Sequence, residues 1–449
     1  MSEKGLNRQW SSRYVFIMAS IGSTVGLSNI WKFTYLVGEN GGGAFVLIYL
    51  ASLILLGIPV LTSEFMLGKL GGKSMVGSLA LLSENEGISR RWQSFGWISN
   101  ITVFMILSFY CVIAGLTIDY TVSTLSGNLT ANSASEAVNY YEGIMTNPLR
   151  LIVSTGIFVL LTTIIVARGV GAGLEKTTKW MMPGLFIILF GLLMYAAFTG
   201  EFVKALKFMF VADFSKITAS VALTAFGQAF FSLGIGLGVM LTYGAYMPKE
   251  ASITRSSVTI ALADGLVAII AGLAIFPIVF QYKLSPAEGP GLIFMTLPIA
   301  FGQMPGGNYV GALFFILLAF AALSSSISLL ESVISRLEEL YPNMRARITW
   351  IAGTLLWLMG WLTVFSFNIW SDFTPIAGKT VFGLIDYLAS NLIMPVGGIL
   401  MAVIGGWFIS KNTSQESLKL SPPWLFVAWR FLVRYVGPIA VLLIFLSNL

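Results

Sequence analysis

Between Ala19 and Phe33 the chain reads ASIGSTVGLSNIWKF, which puts Gly22, Ser23, Thr24, Gly26, Ser28 and Asn29 inside an apolar segment long enough to cross a bilayer. Glycine weakens a helix, and Ser, Thr and Asn side chains offer its backbone competing hydrogen bonds. In lipid such a choice is tolerable only where the loosened backbone faces protein or a water-filled cavity. A second stretch, QAFFSLGIGLGVMLTY from Gln228 to Tyr243, carries Ser232, Gly234, Gly236 and Gly238 at mid-membrane. Glycine-interrupted segments at matching places in two halves of a chain point to a transporter binding site. The competing reading is that these glycines are close-packing points between helices. The third feature is Asp264, in IALADGL. An ionised residue inside a span costs at least ~2.5 kcal/mol, so it is functional by default. A structural salt bridge is the alternative, and no basic partner stands nearby in these segments.

Composition sets the frame around these residues. Of 449 residues 56% are hydrophobic and only 10% are charged, against about 25% charged in soluble domains. The chain therefore reads as an all-α polytopic membrane protein without a soluble domain. The first segment has too little charged lead-in and no small-residue cleavage site, so it reads as a span and not a cleaved signal. Cys111 is the only cysteine, which excludes a disulfide within the chain. There is no histidine, which removes zinc-protease motifs, Ser-His nucleophile pairs and imidazole proton relays. An enzyme is accordingly not expected, and the net charge of +6 is explained by membrane topology and not by nucleic acid.

A span needs about 20 apolar residues. That rule gives eleven transmembrane helices, at 13–37, 43–70, 97–125, 150–168, 175–199, 222–247, 256–282, 308–339, 348–367, 384–410 and 424–447. With the N-terminus inside, Lys4, Arg8, Lys73, Arg90, Arg91, Arg168, Lys176, Lys179, Lys249, Arg255, Arg336, Arg345, Arg347, Lys411 and Lys419 share one side. The opposite loops hold fewer basic residues, among them Arg150, Lys204, Lys207, Lys216, Lys283 and Lys379, together with Glu39, Glu136, Glu142 and Glu288. The positive-inside rule then puts the N-terminus in the cytoplasm. The odd span count leaves the C-terminus outside, and the long loops 126–149 and 283–307 are external.

The first segment, ENGGGAFVLIYL (Glu39–Leu50), GQAFFSLGIGLG (Gly227–Gly238) and LSSSIS (Leu323–Ser328) together resemble the neurotransmitter:sodium symporters. The resemblance runs through essentially the whole chain. It implies a 5+5 inverted repeat, with broken helices 1 and 6, in one transporter domain. The first repeat would be 13–199, the second 222–410, and 424–447 an additional helix. It also implies sodium-driven amino acid uptake by alternating access across a bacterial inner membrane.

Sodium is a hard cation that takes several oxygen ligands. By family analogy one sodium site would use the Thr24 carbonyl, Asn29, Ser232 and a residue at Ala263 or Asp264. Ala263 has no side-chain oxygen, so chemistry selects Asp264. The second would use carbonyls of Gly22, Val25 and Ala321 with the hydroxyls of Ser324 and Ser325; helix-packing serines bonded to their own turn are the alternative. Chloride-dependent relatives hold an anion near Tyr49, Gln228 and Ser232, but Ala268 replaces the expected serine. The Asp264 carboxylate would then supply the negative charge itself, making transport chloride-independent.

A broken helix exposes N–H groups suited to a carboxylate. The resemblance assigns that role to the Gly26 and Leu27 amides with the Tyr110 hydroxyl. Carbonyls of Thr24, Phe231 and Ser232 would take the ammonium group. Monoamine carriers place an aspartate where this chain has Gly26, so an amino acid substrate is expected. Ser23, Ile106, Tyr110, Phe231, Gly234, Leu237, Ser325 and Leu329 would line an uncharged pocket for a large hydrophobic substrate such as Trp, Phe, Tyr or Leu.

Lys32 and Asp386 resemble an external gate pair, with Lys in place of the more usual Arg. Trp10, Tyr246 and Glu339 match an intracellular latch, although Asn7 stands where Arg is expected; Arg8 or Arg13 would substitute. Glu64 would accept hydrogen bonds from the broken ends. Gly173 and Pro183 would let the start of the fifth span unwind and admit water to the second sodium site. A proton-coupled carrier of the same fold would place Lys or Arg beside Ser324 and Ser325. A non-transporting amino acid sensor would use the same pocket.

Overall fold

The computed structural model describes residues 9–87, 89–127, 129, 133–287, 289 and 291–447. Lys4, Asn7, Arg8 and Glu288 lie outside them. Regular structure among the described residues is helical, with one isolated bridge between Ile376 and Lys379. Among these residues, nine helices are long and apolar enough to cross a membrane, or ten if the bent pair Arg13–Thr24 and Ser28–Glu39 is one span. They fall where the sequence puts the spans, from Gly43–Gly71 and Trp92–Leu125 through Gly307–Leu340 to Pro423–Leu446. The remaining expected span is two pieces, Ala219–Ser232 and Val239–Ala245, separated by residues 233–238.

The first segment ends its inner half at Thr24, where Val25 turns extended (φ −73°, ψ 101°). The outer half restarts at Ser28 and leaves at 52° to the inner half. The second break is built from left-handed glycines: Gly234, Gly236 and Gly238 have φ of 62°, 90° and 71°. A Cβ on Gly236 would stand 2.5 Å from the Gly398 nitrogen and 2.6 Å from the Met394 carbonyl oxygen. Both conformation and space therefore demand glycine there. The open break and the close-packing point, alternatives in the sequence, coexist within five residues.

Around the breaks, Gly307–Leu340 packs lengthwise on Trp92–Leu125, and Val239–Ala245 lies on Gly43–Gly71. The second contact is at backbone distance, since a Cβ on Gly68 would meet the Leu241 carbonyl at 2.0 Å. Two segments expected to be loops contain helices. Ala134–Met145 carries Glu136 in its first turn, and Leu292–Gln303 buries Leu292, Phe294 and Leu297 against the bundle. Both are shorter than a span, so a length criterion passes over them.

The start of the fifth span also departs from expectation. Val170–Thr199 is one helix that contains both Gly173 and Pro183, with wide π-type turns at Val170–Glu175. Proline removes one hydrogen bond without opening the helix here. In this conformation the stretch is wound, and a Cβ at Gly173 would collide with the Ile165 carbonyl at 2.0 Å.

Candidate functional site

The two breaks face each other across a cavity of about 250 Å³. From the first segment Ser23, Thr24, Gly26 and Leu27 line it; from the second, Phe231, Ser232, Gly234 and Leu237. Ile106 and Tyr110 enter from Trp92–Leu125, and Ser325 and Leu329 from Gly307–Leu340. All twelve residues expected to bind substrate thus line one cavity. Gly234 has no atom within 4 Å of where its Cβ would stand, so the cavity extends over it. Gly26 is the opposite case. A Cβ there would lie 2.6 Å from Ser325 Oγ and 3.3 Å from the Tyr110 hydroxyl. That hydroxyl is buried beside Ser325 and the Leu27 backbone, at the gap by Gly26, and has no well-formed acceptor for its proton.

One side of the cavity is a polar cluster around Asp264, which is fully buried. Asn29 Nδ2 donates to Asp264 Oδ1 at 2.8 Å and to Ser232 Oγ at 3.0 Å. Ser232 donates to Asp264 Oδ2 at 2.5 Å, and the Tyr49 hydroxyl donates to the same oxygen at 3.3 Å. Asn29 Oδ1 faces the break itself, accepting from the Gly26 amide at 3.2 Å. A half-turn of the Asn29 side-chain amide exchanges nitrogen for oxygen in the cluster. The carboxylate, the Ser232 hydroxyl, Asn29 Oδ1 and the neighbouring Thr24 backbone then form the all-oxygen set a hard cation takes. Gln228, expected in the same neighbourhood, instead donates to the Ser28 carbonyl at 2.9 Å.

A second set of oxygens lies between the inner half of the first segment and Gly307–Leu340. Ser325 Oγ donates to the Ser23 carbonyl at 3.2 Å and to the Ala321 carbonyl at 3.3 Å. Ser324 Oγ donates to Ala321 at 2.9 Å. Gly22 closes the contact, because a Cβ there would stand 3.3 Å from Ser324 Cβ and 2.7 Å from Met182 Sδ. The serines do bond back to their own turn, as the packing alternative expects. A hydroxyl that donates backward still presents its lone pairs forward, so the bonds are compatible with a cation ligand.

Lys32 and Asp386 both line the cavity but do not pair. The Lys32 ammonium lies over the Phe231 ring, 3.9 Å from its centroid, and Asp386 accepts from Ser390 at 2.8 Å. Glu64 is fully buried and accepts the Gly236 amide at 2.7 Å, bracing the second break.

At the end of the bundle where the first segment begins, Trp10 is buried, donates its amide to the Tyr246 carbonyl at 3.1 Å and meets Tyr243 edge-on. Glu339 is elsewhere. It accepts from the Ser74 hydroxyl at 2.6 Å and from Arg336 at 3.1 Å, beside the start of Met75–Asn85. The acid at Tyr246 is Glu331, at 3.2 Å, and Glu331 in turn pairs with Arg345. Sequence reasoning missed Glu331 and Arg345. Two charges near the ends of their spans look like ordinary topology signals until the fold brings them together. Arg13, expected as a substitute in the latch, is exposed at the start of the first helix. The Ser11 amide donates to Glu175 at 2.6 Å, so the N-terminal segment is also tied to the wide turns of the fifth span.

Two broken helices meeting at a mid-membrane cavity, with oxygen clusters on either side of one break, define a multi-pass secondary transporter. Known proteins narrow the class. The family model of the sodium:neurotransmitter symporters matches residues 7–148 and 145–449, so the chain belongs to that family and is a sodium-dependent symporter. It is 36% identical, over 98% of its length and 97% of the relative's, to the uncharacterised sodium-dependent transporter YhdH of Bacillus subtilis. It is 24% identical to the sodium-dependent dopamine transporter of Bos taurus, covering 97% of this chain and 68% of that one. Among solved structures it matches MhsT in complex with L-phenylalanine at a TM-score of 0.90 and 37% identity, over 98% of this chain and all (100%) of that one.

Proposed function

We propose that the protein imports large hydrophobic and aromatic L-amino acids, such as Trp, Phe, Tyr and Leu, together with sodium at two sites. Alternating access would carry substrate inward across the bacterial inner membrane, with the N-terminus cytoplasmic and the C-terminus external. In this reading the repeats are 13–199 and 222–410, 424–447 is additional, and the interrupted helix at 219–245 brings the span count to eleven.

The observation that carries the substrate class is the small space at Gly26 beside the buried Tyr110 hydroxyl, whose proton has no well-formed acceptor. A carboxylate there would accept from Tyr110, from the Leu27 amide and, once Asn29 Oδ1 turns away, from the Gly26 amide, and would complete the ligand set around Asp264. Ion and substrate would then each raise the other's affinity, which is the physical content of symport. Beyond that polar end the lining is apolar, and the vacancy over Gly234 favours a large side chain. The MhsT structure, in complex with L-phenylalanine, is in keeping with this.

Asp264 supplies fixed negative charge, so chloride would be dispensable; adding chloride at constant sodium should leave uptake unchanged, and a clear rise refutes this part. Replacing Gly234 with Phe should abolish Trp uptake before Val uptake. The reverse order refutes the pocket assignment.

A further inference from the structure

We infer that the groove between the start of Trp92–Leu125 and the middle of Val381–Phe408 is a binding site for one anionic phospholipid of the leaflet on the Arg91 side. The groove has a volume of about 560 Å³ and is separate from the substrate cavity. Phe95 and Ile98 line it from the first helix and Leu392 and Val396 from the second. Phe445 of Pro423–Leu446 also borders it, and Arg91 and Trp92 belong to the end where the first helix starts. Apart from Arg91 and Ser94 the lining is apolar. Ile98 and Val396 remain 46% and 37% exposed on spanning helices, so at that depth the groove opens on hydrocarbon. Water has no polar partners there. An acyl chain suits such a surface, because it fills an apolar groove without leaving a polar group unpaired.

The charge at the end selects the headgroup. Two acids lie close in sequence to Arg91, and both are engaged elsewhere. Glu84 pairs with Arg90 at 2.9 Å, while Glu86 accepts from the Ser410 amide at 2.9 Å and the Thr413 hydroxyl at 2.8 Å. The Arg91 guanidinium makes no hydrogen bond or ion pair among the described residues. A planar guanidinium with free N–H groups at a membrane interface matches a phosphodiester. Trp92 beside it packs on Phe408 at 5.4 Å and sits where aromatic side chains anchor spans to the interface.

The consequence reaches the gate. Val381–Phe408 carries Leu392 and Val396 in the groove, Asp386 and Met394 at the substrate cavity, and Gly398 against the second break. A lipid seated in the groove therefore bears on the helix that holds Asp386.

The inference takes only the name of the leaflet from the orientation proposed above, and its test involves no transport. Native mass spectrometry of the full-length protein, offered equal phosphatidylglycerol and phosphatidylcholine, reads lipid retention directly. Both lipids offer Arg91 a phosphodiester, but the choline ammonium cancels its charge. Wild type should therefore retain phosphatidylglycerol about five-fold over phosphatidylcholine, the preference of one basic side chain for net negative headgroups. Arg91→Gln should abolish that preference and keep some lipid of both kinds. Val396→Trp, or Ile98→Trp from the other wall, should lose both lipids while remaining monodisperse and sodium-stabilised. No preference in wild type, or unchanged retention in Arg91→Gln or in the groove-filling variants, overturns the inference.

Discussion

At the scale of single residues, the proposed function turns on Asp264 and Gly26. Asp264 is fully buried and held by Asn29, Ser232 and Tyr49. If its charge holds sodium, Asp264→Asn should raise the sodium concentration for half-maximal uptake by about thirty-fold or more, the cost of losing one partner of a buried charge pair. Equal sodium activation in the variant would remove Asp264 from the site. At Gly26 one added methyl would meet Ser325 Oγ at 2.6 Å. Gly26→Ala should therefore weaken amino acid binding by about ten-fold, roughly the loss of one hydrogen bond to a charged group, without changing thermal stability. Scintillation-proximity binding with a parallel melting curve separates those outcomes. The burial of Asp264 is legible in the sequence because it lies mid-way along an apolar span, where a carboxylate is rare and costly. The position of Gln228 is not legible in the same way: its reach to the Ser28 carbonyl depends on the bend of the first segment, which no residue pattern specifies.

At the scale of elements, the second break has two kinds of glycine. Gly234 needs only its left-handed conformation, whereas Gly236 also lies against the backbone of Val381–Phe408. Gly234→Ala should cost about 1–2 kcal/mol of strain and leave a folded protein. Gly236→Ala should yield little monodisperse material on fluorescence-detected chromatography, because the opposing atoms are main chain and cannot step aside. Arg345 joins three elements, pairing with Glu331 and Glu338 and donating to the Val166 carbonyl at 2.9 Å. Arg345→Met leaves the fully buried Glu331 uncompensated and should destabilise by about 3–5 kcal/mol, read as a fall in melting temperature. Helix positions are legible to within a few residues because a spanning helix must be apolar over about 20 residues whether it faces lipid or protein. The wound start of the fifth span is not. Gly173 and Pro183 permit opening, but whether the helix is open is a property of the conformation and not of the residues.

At the scale of the whole molecule, the proposed orientation would put Lys411 and Lys419 inside and Lys379 outside. Cys111 is buried, so the wild-type background should react little with impermeant maleimide. Cysteine introduced at Lys379 should label in intact cells, and cysteine at Lys411 only after permeabilisation; the opposite pattern inverts the topology. The cavity itself is the most legible large feature. It is built from two short glycine-rich stretches whose oddity in lipid is visible without any structure. The inner-end network is the least legible, since Glu331, Arg345 and Tyr246 come from separate segments and meet only through packing.

The most direct test is uptake of radiolabelled Trp into proteoliposomes under an inward sodium gradient, an inward proton gradient or none. Sodium-driven accumulation that Leu and Tyr block, and Glu and Lys do not, is the predicted result. Accumulation driven by protons alone, or sodium-dependent binding without accumulation, would contradict it.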